Sequence, residues 1–341
     1  MSVAPWVWAL TLAGILAVIL ADLFLIHRND TREFTTRRAA FWSSVYIGLA
    51  VVFGLGVWAF SGGEYAAQYF GGFVTEKSLS VDNLFVFMVL LARFAVPKRS
   101  QHTVLMAGII IALVLRGIFI AVGAAALSAF TWVFFIFGAI LIWTAFGLVR
   151  GDDDEEVGEN AILRWAKRVI PTADHYDGNK FVTRANGRRM ATPLLIVMIA
   201  IGTTDVLFAL DSIPAIFGLT TEPYLVFAAN AFALMGLVQL YFLLGGLADK
   251  LKYLSHGLAF ILGFIGVKLV LHALHEYGVH WAPDIPIWLS LSVIAGTLVA
   301  VTVASLASAP KDAAKDAAKK DAQVEGEEGD REERDAPAAL D

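Results

Sequence analysis

The chain has 341 residues, of which 58% are hydrophobic and 17% are charged, and its formal net charge is −5. This composition is too apolar for a soluble globular domain and indicates a protein that crosses a membrane. The absence of cysteine excludes disulfide bonds and thiolate metal ligands.

Nine apolar stretches have close to the ~20 residues that a helix needs to cross a bilayer. They predict an all-α polytopic membrane protein with about nine transmembrane helices, at 6–26, 42–60, 75–95, 103–126, 130–149, 192–218, 224–247, 255–274 and 285–307. Lysine and arginine cluster in the loops after the odd-numbered spans, which assigns those loops to the cytoplasm. We therefore expect a multi-pass protein of the cell membrane with its N-terminus outside and its C-terminus in the cytoplasm.

Two acidic segments at the third and sixth spans share one pattern. The segments TEKSLSVDN (75–83) and TDVLFALDS (204–212) both read T-[DE]-x5-D-[NS], at a constant separation of 129 residues. Three spans lie between the starts of the two copies, so the second copy crosses the membrane in the opposite direction. Spans three to five and six to eight thus predict an inverted 3+3 helix repeat, as found in transporters that bind substrate near the bilayer midplane.

The acidic side chains of these segments predict an ion site. Each acid at a helix centre costs ~2.5–3.5 kcal/mol on insertion scales, and the bases in the spans are too few to neutralise four carboxylates. The available bases are Lys77, Arg116 and Lys268, which we interpret as supporting ion pairs or coupling groups. The candidate metal-site residues are Glu76, Asp82, Asn83, Asp205 and Asp211. Pro214 predicts a helix break whose carbonyls would add oxygen ligands, and oxygen ligands suit Mn²⁺, Mg²⁺ or Ca²⁺.

The remaining segments complete the predicted organisation. NAILRWAKRVIP (160–171) has an apolar face and predicts a helix lying on the membrane surface, and the Asn186-Gly187 pair predicts a hairpin turn. Residues 308–341 are acidic and poor in large apolar side chains, which predicts a disordered tail. The predicted organisation is two N-terminal transmembrane helices (1–60), the first three-helix repeat (61–149), a cytoplasmic loop (150–191), the second repeat (192–275), a last transmembrane helix (276–307) and the tail (308–341).

Three segments resemble the hallmark segments of the TerC family of integral membrane proteins, named for tellurium resistance. They are TEKSLSVDNLFVF (75–87), RANGRRMATPLL (184–195) and TTDVLFALDSIPAIFGLT (203–220), and the similarity spans roughly residues 40–275. The resemblance implies a manganese exporter whose functional acids are Glu76, Asp82, Asp205 and Asp211, with Asn83 beside Asp82. The acidic tail lies outside the family's pattern.

We therefore expect an exporter of a divalent cation, with Mn²⁺ supplied by the resemblance, that exchanges the metal for protons. No G-x-x-x-x-G-K-[ST] phosphate loop is present, so ATP is not expected to drive it. The expected partners are the divalent ion, protons and the lipid bilayer, with no tightly bound cofactor, no nucleic acid and no enzymatic activity; homo-oligomerisation is open. Two alternatives remain at this point: a non-transporting assembly or metal-stress (tellurite resistance) factor, and a light-driven pump with retinal on Lys268.

Overall fold

The computed structural model describes residues 3–27, 36–150, 171–173, 176–185, 188–244, 253–279, 281–283, 285–305 and 307–308. The predicted surface helix at 160–171 and the predicted tail lie almost wholly outside these residues. Within them the chain forms α1 Pro5–His27, α2 Thr36–Ser61, α3 Gly63–Arg93, α4 Lys98–Ala129, α5 Val133–Arg150, β1 Val182–Ala185, β2 Arg188–Ala191, α6 Pro193–Phe217, α7 Pro223–Leu234, α8 Leu237–Leu244, α9 Leu254–Glu276 and α10 Ile287–Ser305.

Seven helical segments of the described residues are long and apolar enough to cross a membrane, so the protein is an all-α polytopic membrane protein. They are Arg37–Ser61, Ser100–Ala129, Val133–Arg150, Pro193–Phe217, Pro223–Leu243, Leu254–Glu276 and Ile287–Ser305. The predicted first and third spans do not meet this test, so the count of nine is not confirmed. Of α1 the test covers only Pro5–Ala21, because the side chains beyond Ala21 lie outside the described part of the chain, and α3 carries too many charged side chains along its length.

The helix break expected at Pro214 is not observed. Helix α6 runs without interruption to Phe217 with Pro214 inside it, and the N–H of Gly218 donates to Pro214 O at 2.9 Å. Proline interrupts a helix by removing one N–H donor and by crowding the preceding turn. Here the helix continues past the proline to Phe217, so the missing N–H does not end it.

A break occurs instead within the predicted seventh span. Helix α7 ends at Leu234 and α8 begins at Leu237, with Met235 and Gly236 between them. Gly236 has a φ of 77°, in the left-handed region that glycine adopts without a side-chain penalty. The break therefore leaves carbonyls at the end of α7 without helical partners.

A two-stranded hairpin immediately precedes α6. Strands β1 and β2 pair antiparallel, with Val182 opposite Ala191 and Ala185 opposite Arg188. This register leaves two residues for the loop, as expected for the Asn-Gly pair, although the turn itself lies outside the described residues. Tyr176, which precedes the hairpin, donates its hydroxyl to Phe94 O at 2.6 Å, so this segment is tied to the corner between α3 and α4.

The helices that matter for function pack as one group. Helix α3 contacts α6 and α7, and α4 contacts the same two helices. Helix α5 packs instead along α9, where Gly138 and Gly266 let the two backbones approach closely: a Cβ at either glycine would lie within 3 Å of the other's carbonyl oxygen. Such small-residue contacts are typical of helix pairs in membranes.

Candidate functional site

Arg116 on α4 lies at the junction of α3, α4, α6 and α7 and is 0% exposed. Its Nε and Nη2 atoms donate to the two carboxylate oxygens of Asp205, at 3.3 and 3.1 Å. Its Nη1 atom donates to Oε1 of Glu76. One guanidinium therefore pairs with a carboxylate from each copy of the acidic pattern, which is the planar, multi-donor recognition that suits arginine.

Two neutral groups complete the guanidinium's partners. Nη1 of Arg116 lies 3.1 Å from the hydroxyl oxygen of Ser212 on α6 and 2.9 Å from Oδ1 of Asn230 on α7. Asn230 donates its own amide to Val226 O at 3.1 Å, which fixes the oxygen toward Arg116. The site is thus formed by one base, two carboxylates, a hydroxyl and an amide from four helices.

The helical period explains why these side chains meet. Glu76, Ser80 and Asn83 stand at i, i+4 and i+7 on one face of α3, and all three are buried. Asp205 and Ser212 stand at i and i+7 on α6 and are also buried. The first acid and the final polar residue of each copy of the acidic pattern therefore share a face. The second acid of each copy, Asp82 or Asp211, precedes the final polar residue by one position and therefore lies about 100° around the helix from this face.

The site carries more acid than base. Glu76 and Asp205 are 0% and 2% exposed, and two carboxylates face the single positive charge of Arg116. Asp211, which is half-buried, lies within electrostatic range of Glu76 and Arg116. With Glu76 and Asp205 both ionised, their contact with Arg116 leaves an excess of one negative charge at this point.

Three buried side-chain oxygens of α3, at and near Glu76, have no hydrogen-bond partner among the side chains that the structure describes. They are Oε2 of Glu76 and the hydroxyls of Thr75 and Ser80. A buried polar atom without a partner is costly and calls for an explanation, such as an ion or water. These three oxygens belong to neighbouring positions of α3, next to the carboxylate that binds Arg116.

The predicted metal residues are placed as follows. Glu76 and Asp205 come together on Arg116, Asn83 is buried on the Glu76 face, and Asp211 lies in electrostatic range; the side chain of Asp82 lies outside the described part of the chain. Within that part, no group of three or more His, Asp or Glu side chains could hold a metal ion. A single cluster of the five predicted ligands stays a prediction.

Lys77 has a role that the sequence did not indicate. Its Nζ atom donates to Ala233 O at 3.0 Å and to Met235 O at 3.3 Å. These carbonyls lie at the end of α7, where the break removes their helical N–H partners. A positive charge at a helix C-terminus also interacts favourably with the helix dipole. Lys77 therefore ties α3 to the broken helix. Lys268 on α9 donates to Ser290 on α10 at 3.0 Å.

The comparisons with known proteins agree with the sequence motifs. Residues 61–313 match the Integral membrane protein TerC family. The chain belongs to the TerC family. One relative, the "Uncharacterized membrane protein Rv2723" of Mycobacterium tuberculosis, is 45% identical over 322 residues, which cover 91% of this chain and 81% of the relative.

Two further relatives come from other bacteria. The "Uncharacterized membrane protein STKORF319" of Myxococcus xanthus is 42% identical over 304 residues, covering 89% of this TerC protein and 92% of the relative. The "Putative membrane-bound redox modulator Alx" of Escherichia coli strain K12 is 38% identical over 305 residues, which cover 86% of this chain and 92% of the relative. No solved structure matches the chain. The resemblance read from the sequence is confirmed at the level of the family.

Proposed function

We propose that this TerC protein exports a divalent metal cation, with Mn²⁺ as the substrate, from the cytoplasm in exchange for protons. The observation that carries the proposal is the meeting of Glu76 from α3 and Asp205 from α6 at one buried point between the helices. Carboxylates in the bilayer core are costly, so two of them brought together from separate helices indicate an ion pathway.

The chemistry of the site supports a hard divalent cation. The side chains around Arg116 offer carboxylate, amide and hydroxyl oxygens, and three further oxygens of α3 have no partner among the described side chains. Mn²⁺, Mg²⁺ and Ca²⁺ prefer such ligands, whereas Zn²⁺ and Cu²⁺ usually draw on histidine or cysteine. The sequence resemblance to manganese exporters selects Mn²⁺ within this group.

Protons supply the driving force in this proposal. Moving Mn²⁺ outward against an inside-negative potential costs ~4.6 kcal/mol per 100 mV, at ~2.3 kcal/mol for each charge. Carboxylates must lose their protons to bind a metal, so the same groups can carry protons inward after the metal leaves. Alternating access would arise from the inverted repeat of spans three to five and six to eight, with the N-terminus outside and the C-terminus in the cytoplasm.

The proposal is tested by the manganese content of cells that lack their own exporter. Cells that produce the wild-type protein should hold less manganese during Mn²⁺ exposure than cells with an empty vector. Glu76→Gln and Asp205→Asn should return the content to the vector level, because each removes one carboxylate of the buried site. Glu64→Gln is the matched control, since Glu64 is exposed at the start of the same helix α3. Full export by both site variants at equal protein levels would contradict the proposal.

A further inference from the structure

The guanidinium of Arg116 occupies the oxygens that a divalent cation would use. Its partners are both oxygens of the Asp205 carboxylate, one oxygen of Glu76, the Ser212 hydroxyl and the Asn230 amide oxygen. The carboxylate oxygens among these atoms are the ligands that Mn²⁺ prefers. A metal ion and the guanidinium cannot share the two carboxylates in this arrangement, because two like charges at contact distance repel strongly inside a protein.

Loss of a proton from the guanidinium cannot remove this competition. Arginine stays charged at any pH that a protein survives, so the guanidinium leaves the carboxylates only by moving. Ser212 and Asn230 are neutral acceptors on α6 and α7 that already lie 3.1 and 2.9 Å from Nη1, so they can keep the guanidinium in the site when its bonds to the carboxylates are lost. With the guanidinium held by these two groups, the carboxylates could turn toward a metal, and Oε2 of Glu76 is already without a partner in the described site.

We infer that Arg116 is a built-in counter-cation of the transport site, which neutralises the carboxylates when no metal is bound and is displaced from them by the transported ion. This inference rests on the proposed export function and specifies how its site is regulated. With Glu76 and Asp205 ionised, the arginine changes the charge of the metal-free site from −2 to −1 and that of the metal-bound site from 0 to +1. Arg116 therefore stabilises the metal-free form and weakens metal binding, which favours release.

Metal affinity distinguishes this role from a purely structural ion pair. In the purified, full-length protein, Arg116→Gln should lower the Kd for Mn²⁺ by ~10-fold or more, within the range usual for two coupled ligands. The same variant should transport more slowly, because the metal leaves less readily. Arg150→Gln is the matched control: Arg150 is exposed at the end of α5, and its replacement should leave Kd unchanged.

A variant that keeps the charge covers the case in which Arg116→Gln does not fold, and a competitor adds a second readout. Arg116→Lys keeps the charge but cannot bond both carboxylates through a planar fork, so its Kd should fall between those of Arg116→Gln and the wild type. In Arg116→Ala, free guanidinium ion at non-denaturing concentration should raise the Kd for Mn²⁺ more than sodium chloride of equal ionic strength. The wild type should show no such difference between the two salts.

The outcomes separate the two proposals. Absence of Mn²⁺ transport by the wild-type protein would overturn the export function, and the inference with it. Transport by the wild type together with an unchanged or raised Kd in Arg116→Lys or Arg116→Gln would overturn the inference alone. A lowered Kd in these variants, with the guanidinium effect in Arg116→Ala, is the result that the inference requires.

Discussion

Replacing Arg116 and Glu76, singly and together, measures how strongly their contact couples α4 to α3. Arg116→Gln leaves two buried carboxylates without their base, and removing one partner of a buried ion pair costs ~3–5 kcal/mol. Glu76→Gln leaves Arg116 its two bonds to Asp205 and those to Ser212 and Asn230. It removes one charged hydrogen bond, at ~1.5–3 kcal/mol.

The double variant should cost less than the sum of the single ones. Once Arg116 is gone, Glu76→Gln removes a destabilising buried charge, so the two changes should differ from additivity by ~2 kcal/mol, toward the upper end of couplings between contacting residues. The assay is the free energy of unfolding in mixed detergent and dodecyl sulfate micelles. Arg116→Gln combined with Glu64→Gln serves as the control pair and should be additive, because Glu64 is exposed. Additivity of Arg116 and Glu76 within ~0.5 kcal/mol would refute the ion-pair account.

Three further changes test the parts of the fold that position the site, each in the same unfolding assay. Lys77→Met should lower stability by ~1–3 kcal/mol, because two carbonyls at the end of α7 lose their charged donor; no loss would show that this contact is unimportant. Gly236→Ala should lower the free energy of unfolding by ~1–3 kcal/mol, because φ at this position is 77° and the new Cβ would lie 2.8 Å from the Tyr46 ring. An unchanged free energy of unfolding would contradict the described break. Burial raises the pKa of Tyr176, so its hydroxyl stays a donor at neutral pH. Tyr176→Phe should lower the free energy of unfolding by ~1 kcal/mol and speed amide hydrogen exchange near Phe94, because the bond to Phe94 O is lost. Unchanged exchange would argue against this contact.

The sequence predicted the parts of the site that depend on composition and helical period. Charged residues are rare in membrane spans, so Glu76, Asp205 and Arg116 are conspicuous in the sequence alone. The repeated pattern also located the two helices that contribute the carboxylates. Ser212 was aligned with Asn83 but was not chosen as a site residue, although its i+7 spacing from Asp205 was the available signal.

Other features depend on contacts that only the folded chain creates. A buried asparagine in a membrane helix usually hydrogen-bonds to a neighbouring helix, and in the folded chain the partner of Asn230 is the central arginine. The break at Gly236 has no clear signal, because glycine within an apolar span is common in membrane helices. Pro214 gave the stronger signal, and the predicted break was wrong, because α6 continues past it to Phe217. The partners of Lys77 are carbonyls freed by the break, so they could not be foreseen without it.

The most direct test of the account is Mn²⁺ flux in proteoliposomes that contain the purified protein and a pH-sensitive dye. The wild-type protein should move Mn²⁺ down its gradient with protons moving in the opposite direction, and Glu76→Gln should abolish both movements while Glu64→Gln preserves them. Mn²⁺ flux no faster than in protein-free liposomes, with the protein folded and inserted, would contradict export and favour a non-transporting role in metal stress.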